Sequence, residues 1–224
     1  MTRKNYRIFE GLRIAVPLTF ISGFLNAFTF VTQGRRFAGV QSGNVISWAY
    51  YLAMGNYVQV VQFTVPIVFF ALGQVFTYLA KRWFDETHHF WHFGSSLILT
   101  IITIFTATIT PFVSEYYTNA LVAFVASIQV ETFQKIHGAP YASVMMTGNV
   151  KNAARLYFKG VYEHNKEFRE QGRHIFVIIA SFATGVYVST RLSYHFGEFT
   201  LWFALIPLLL VNYLLWVEKR SLGY

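Results

Sequence analysis

Glu131 is the one charged residue between Tyr116 and Gln134, and a carboxyl group in such a setting can carry a proton, bind a cation or pair with a cationic solute. An acidic side chain inside a membrane crossing costs roughly 2.5–3.5 kcal/mol and is retained where it is partnered or useful. Asn26, Thr29, Gln129 and Gln134 supply amides and a hydroxyl that could line a polar pocket around it. A second constellation is duplicated. Ser42-Gly43-Asn44 returns as Thr147-Gly148-Asn149, 105 positions later (149 against 44), each copy followed by an apolar-rich run. A hydroxyl residue, a glycine and an asparagine make a helix start in which Ser42 or Thr147 caps free N–H groups, aiming the positive helix end at an anion or a carbonyl. Ser42 between Gly39 and Gly43 also raises an intramembrane hydrolase, but the seven histidines fall in loops or at span ends, away from where a base is needed. His88, His89 and His92 beside Asp85 and Glu86 are too short and incomplete a cluster for a metal centre and read as a solvated loop. No cofactor motif is present, and the chain is not read as an enzyme.

The elements that must hold these residues belong to a membrane protein. Only 12% of the 224 residues are charged, against roughly 25% in soluble domains. The formal net charge of +8 sits between apolar blocks, which argues for membrane orientation and against nucleic-acid binding. There is no cysteine, so no disulfide framework or thiolate site exists. Charge-free runs predict six spans, at residues 14–32, 57–80, 93–110, 116–134, 175–190 and 199–217. Short helices at 44–54 and 149–161 each follow an irregular lead-in, the first lying in or re-entering the membrane. The second carries Lys151, Arg155 and Lys159 on one face and reads as interfacial.

With six spans and both termini cytoplasmic, all of the 18 Lys and Arg except Arg35, Arg36 and Arg191 lie inside. Counting 44–54 as a seventh crossing moves most of them outside, so the positive-inside bias favours six. Residues 1–114 and 115–224 then form two three-span halves, and an odd number of spans inserts the second half upside down. At an offset of 105, Asn26 falls on Glu131. With seven extra residues in the second linker, Phe70-Ala71-Leu72-Gly73 falls on Phe182-Ala183-Thr184-Gly185. The expected fold is an all-α integral membrane protein of two inverted three-helix repeats, each with a short broken helix behind a Gly-Asn element.

Ser22-Gly23-Phe24-Leu25-Asn26-Ala27-Phe28, Gln41-Ser42-Gly43-Asn44, Ile128 to Phe133 and Tyr141 to Asn149 resemble the YoaK family of bacterial inner-membrane proteins. The resemblance implies a six-helix layout and an inner-membrane location, and carries no activity with it. The functional expectation is a small secondary transporter, with Asn26, Thr29, Gln129, Glu131, Gln134 and the two helix starts binding a small solute or ion between the repeats. A channel, an intramembrane hydrolase and a non-transporting membrane partner are the alternatives. Membrane lipids are the expected surroundings, and a homo-oligomer is compatible with the sequence.

Overall fold

The computed structural model describes residues 7–221. The basic Arg3 and Lys4 of the N-terminal segment lie outside the described residues. The chain is almost entirely helical: α1 (Leu12–Thr32), α2 (Gln41–Ala53), α3 (Tyr57–Glu86), α4 (Trp91–Ile109), α5 (Glu115–Thr132), α6 (Met146–Tyr162), α7 (Lys166–Phe196) and α8 (Leu205–Ser221), with a two-residue antiparallel pair, Lys135–Ile136 on Ala139–Pro140, before α6. Among the described residues four helical segments are long and apolar enough to cross a membrane: Leu12–Thr32, Tyr57–Glu86, Trp91–Phe112 and Lys166–Ser221. The last runs to 56 residues, and it turns back on itself where Gly197 takes φ +54 between α7 and α8.

Boundaries shift where polar residues still favour helix. The expected loop from Lys81 is the last turn and a half of α3, and the expected linker before Arg173 is the start of α7. Both helices are longer than a ~30 Å hydrocarbon layer requires at ~1.5 Å per residue, which leaves length for charged ends beyond the apolar stretch. Asn56 and Asn165 begin them by the same means, accepting backbone N–H bonds from Gln59 in one case and from Glu167 and Phe168 in the other. Span four becomes α5, an 18-residue helix with most of its length buried inside the protein. Its neighbours already shield it, which is why it can carry Asn119, Ser127 and Gln129 without an apolar surface.

Contacts fix the relative directions. Gln129 reaches Leu18, and Asn119 reaches Gln33, so α1 and α5 run antiparallel. Asn212 bonds Ser96 and Thr100 while Leu201 lies with Thr103 and Thr106, so α4 and α8 also oppose one another. By contrast α1 and α7 run the same way, with Val16 level with Ser181 and Phe20 with Gly185; α3 and α5 do likewise, with Gln62 level with Tyr116 and Gly73 with Ser127. Close packing makes the α1–α7 pair possible. A Cβ on Gly23 would overlap the Phe182 carbonyl, and one on Gly185 the Phe20 carbonyl. The main apolar core runs through α1, α4, α5 and α8, from Ile14, Leu18 and Phe28 to Leu99, Ile128, Leu208 and Leu215. Glu218 of α8 accepts from the backbone N–H groups of Ile8 and Phe9, which places the described N-terminal and C-terminal ends side by side.

Candidate functional site

The two lead-ins meet in the middle of the protein, where Val144 packs against Gly39 so closely that a Cβ on the glycine would overlap it. These residues are themselves 105 positions apart (144 against 39), the spacing of the duplicated motif. Behind each lies the same clasp. Asn44 Oδ1 accepts from Phe37 N at 2.9 Å and its Nδ2 donates to Phe37 O at 2.8 Å; Asn149 Oδ1 accepts from Ala142 N at 3.2 Å and its Nδ2 donates to Ala142 O at 2.7 Å. Both asparagines are buried, and each satisfies the backbone of a segment that has no ladder of its own.

The glycine-asparagine elements therefore work differently from the expected cap. The helices begin at Gln41 and Met146, their cap positions are Val40 and Met145, and no side chain caps either. Ser42 and Thr147 stand exposed on the first turn, and Gly148 faces open space, while Gly43 lies against the Phe37 ring. The asparagine, one turn in, is the residue that matters locally.

Two amides on the facing helices hold the lead-ins from the other side. Asn26 Oδ1 accepts from Gly39 N at 2.9 Å and Val40 N at 3.2 Å, and its Nδ2 donates to Ser22 O. Gln129 Nε2 lies 3.0 Å from Ser143 Oγ, 2.7 Å from Ser22 Oγ and 2.9 Å from Leu18 O. Its Oε1 is buried without a hydrogen-bond partner, a free acceptor at the junction of the halves. Thr29 is buried and donates to the carbonyls of Leu25 and Asn26 in its own helix.

Glu131 does not join this group. It is exposed at the end of α5, in a polar recess of about 550 Å³ shared with Thr77, Tyr78, Lys81, Arg82, Asp85 and Glu86; Gln134 is exposed beyond the helix end. The alignment of Asn26 with Glu131 is corrected by packing. Gly23 and Ser127 both meet the carbonyl of an equivalent phenylalanine, Phe182 and Phe70 respectively, and Phe20 and Phe124 carbonyls abut Gly185 and Gly73. Both pairs differ by 104 (127 against 23, 124 against 20), one less than the motif, which turns the helix by about 100°. That offset sets Val130, not Glu131, against Asn26; the amide that bonds the second lead-in as Asn26 bonds the first is Gln129, one residue further back.

Two clusters were not legible as sites. Arg36, expected at a water boundary, is 2% exposed; its guanidinium pairs with Glu115 at 2.9 Å, donates to Gln33 O and Gln62 Oε1, and lies over the Phe63 ring. Arg36 Nε and Asn119 Oδ1 are left unbonded beside it. At the opposite end of α1, His137 Nδ1 and His174 Nδ1 are 3.0 Å apart, with Glu10 accepting the His137 backbone N–H. Burial holds His137 below the usual histidine range, partly opposed by Glu10, and burial alone pushes the Tyr141 phenol up. An acidic residue at the start of α5 and an arginine shortly after α1 were the only sequence signals for the first cluster. The histidines gave none, because 37 residues separate them. His92 stacks on Phe9, and no group of three metal-ligating side chains occurs among the described residues.

The family model described as "Protein of unknown function (DUF1275)" matches residues 14–214, which is most of the chain, and the protein belongs to that family. No curated protein and no solved structure matches it.

Proposed function

We propose, with membership of this family as the premise, that the protein is a small secondary transporter built from two inverted repeats of three spans each, working by alternating access at the seam between them. The observation that carries the reading is the pair of matched asparagine clasps with Gly39 against Val144 between them. Equivalent residues in contact are what a pseudo-two-fold axis produces. Inversion is supported by the antiparallel pairs α1 with α5 and α4 with α8, which are also the pairs the duplication equates. Six crossings are supported by the reversal at Gly197 and by Glu218 joining the ends of the chain.

In this reading Asn26 and Gln129 are the gate amides. They hold the lead-ins together, and Gln129 Oε1 offers the first free hydrogen-bond acceptor to a polar solute when the halves separate. Glu131 stands at the mouth of the recess on the charged side, where Lys81 and Arg82 can exchange partners with it. The location is the cytoplasmic membrane with both termini inside.

Proteoliposomes loaded with a pH dye and challenged with amino acids, short carboxylic acids and monovalent cations test this directly. Saturable, proton-linked uptake that Glu131→Gln abolishes or uncouples is the expected result, with unfolding unchanged because the side chain is exposed. Unsaturable conductance indicates a channel with the same lining. A non-transporting membrane partner is favoured by one observation, the use of Asn26 and Gln129 to bond backbone and serines, and absence of flux across that panel would select it.

A further inference from the structure

Outside the seam, α1, α7 and the start of α8 enclose an open groove of about 700 Å³, within the range of ~300–1,000 Å³ typical of ligand clefts. Pro17, Phe20 and Phe24 form one wall and Val177, Thr184 and Val188 the other, with Phe203 and Pro207 closing the end. Its hydroxyls are already committed, Ser181 to Val16 O and Thr184 to Ala180 O, so the walls present hydrocarbon. The corresponding place in the other half is filled. There Phe76 stands where α7 has Val188, its ring 5.3 Å from that of Phe124, the counterpart of Phe20.

Both walls continue into a cation at one mouth. Arg13 lies one turn before Pro17 on α1 and Arg173 one turn before Val177 on α7, and four-residue spacing keeps each on the groove face. Because α1 and α7 run in the same direction, both arginines lie toward the same end of the groove; the register that sets Val16 beside Ser181 puts Arg13 level with Ile178 and Arg173 five residues, about 7.5 Å, further out. Both are exposed, and no carboxylate among the described residues is within ion-pair distance of either. We infer that the groove is a binding site for one anionic phospholipid of the cytoplasmic leaflet, an acyl chain lying between α1 and α7 and the phosphate held between Arg13 and Arg173. The inference rests on α1 and α7 crossing the membrane and is independent of transport.

Native mass spectrometry of delipidated protein in detergent, titrated with dioleoyl phosphatidylglycerol and separately with dioleoyl phosphatidylcholine, tests it. One saturable phosphatidylglycerol adduct, about tenfold tighter than phosphatidylcholine, is expected. The Arg13→Gln, Arg173→Gln double variant should weaken it about thirtyfold, at about 1 kcal/mol per cation and tenfold per 1.4 kcal/mol. Val188→Phe, copying Phe76, should abolish the adduct with the unfolding midpoint retained; Thr184→Leu, copying Leu72, is the milder filling if the larger ring unfolds the protein. Equal affinity for the two lipids, an unchanged double variant, or a folded groove-filled variant that keeps its adduct would each overturn the site. A failure of the membrane-crossing premise would show in the cysteine labelling proposed below, whatever the lipid result.

Discussion

The buried ion pair gives an asymmetric expectation at the level of single residues. Arg36 is 2% exposed and Glu115 35%, so removing the carboxylate strands a charge away from water, whereas removing the guanidinium leaves a carboxylate that water can still reach. Glu115→Gln should therefore cost more than Arg36→Gln, with the former approaching the ~3–5 kcal/mol of an uncompensated buried charge. Denaturant unfolding in detergent measures both. The histidine pair makes a pH prediction of definite sign. His137 binds its proton less readily folded than at its ordinary 6.5, so the unfolded chain takes up more protons as pH falls. Stability should be complete above about pH 6.5 and decline below it toward the depressed folded value, where a charged pair also loses its shared hydrogen bond. Unfolding midpoints from pH 8 to 5 should show that decline, and His174→Gln, which keeps a polar partner, should flatten it.

Between elements, the parallel pair α1 and α7 is set by backbone approach. Gly185→Ala forces a methyl into the Phe20 carbonyl and should destabilise by ~1–3 kcal/mol, the usual penalty for overpacking. Gly148→Ala lies in a helix with nothing around it, and should be neutral or stabilising by up to ~1 kcal/mol. A comparison of the two by thermal unfolding separates packing from propensity, and equal effects would remove the close-approach argument. The same scale explains which helix ends were legible. Apolar runs marked α1, α4 and the centre of α7, because a hydrocarbon layer demands uninterrupted apolar length. They missed the end of α3 and the start of α7, where Lys, Arg and Glu are good helix formers that fall outside the apolar run. The cap at Ser42 was misassigned because its sequence signature is shared by an asparagine clasp that needs the lead-in seven residues earlier to exist.

Across the whole molecule, the directions deduced from contacts put the charged ends of α3 and α7 on one side, together with Arg13, Lys135 and the exposed Lys151, Arg155 and Lys159 of α6. The opposite side has the Arg36–Glu115 pair and Arg191. The proposed orientation, with the more basic side inside, places the first side in the cytoplasm. Cysteine introduced at exposed Gly55 should react with an impermeant maleimide added outside intact cells, and cysteine at Lys166 only after permeabilisation. In the proposed repeat the two turns begin equivalent helices, so opposite labelling is also the most direct test of inversion, and labelling of both from one side would remove it.

Sequence alone determined the apolar, membrane-compatible composition, the helical content, the duplicated glycine-asparagine element and the offset that links Gly73 to Gly185, because each depends on composition or on local order along the chain. Only the tertiary structure decided which side chains meet. A helix turns about 100° per residue, so the α1–α5 packing offset of 104 sets buried Val130, not Glu131, against Asn26, while Glu131 reaches the surface and Gln129, two residues before it, reaches the seam. Burial of Arg36 and the approach of His137 to His174 likewise depend on helices remote in sequence coming together, and no local pattern encodes that distance.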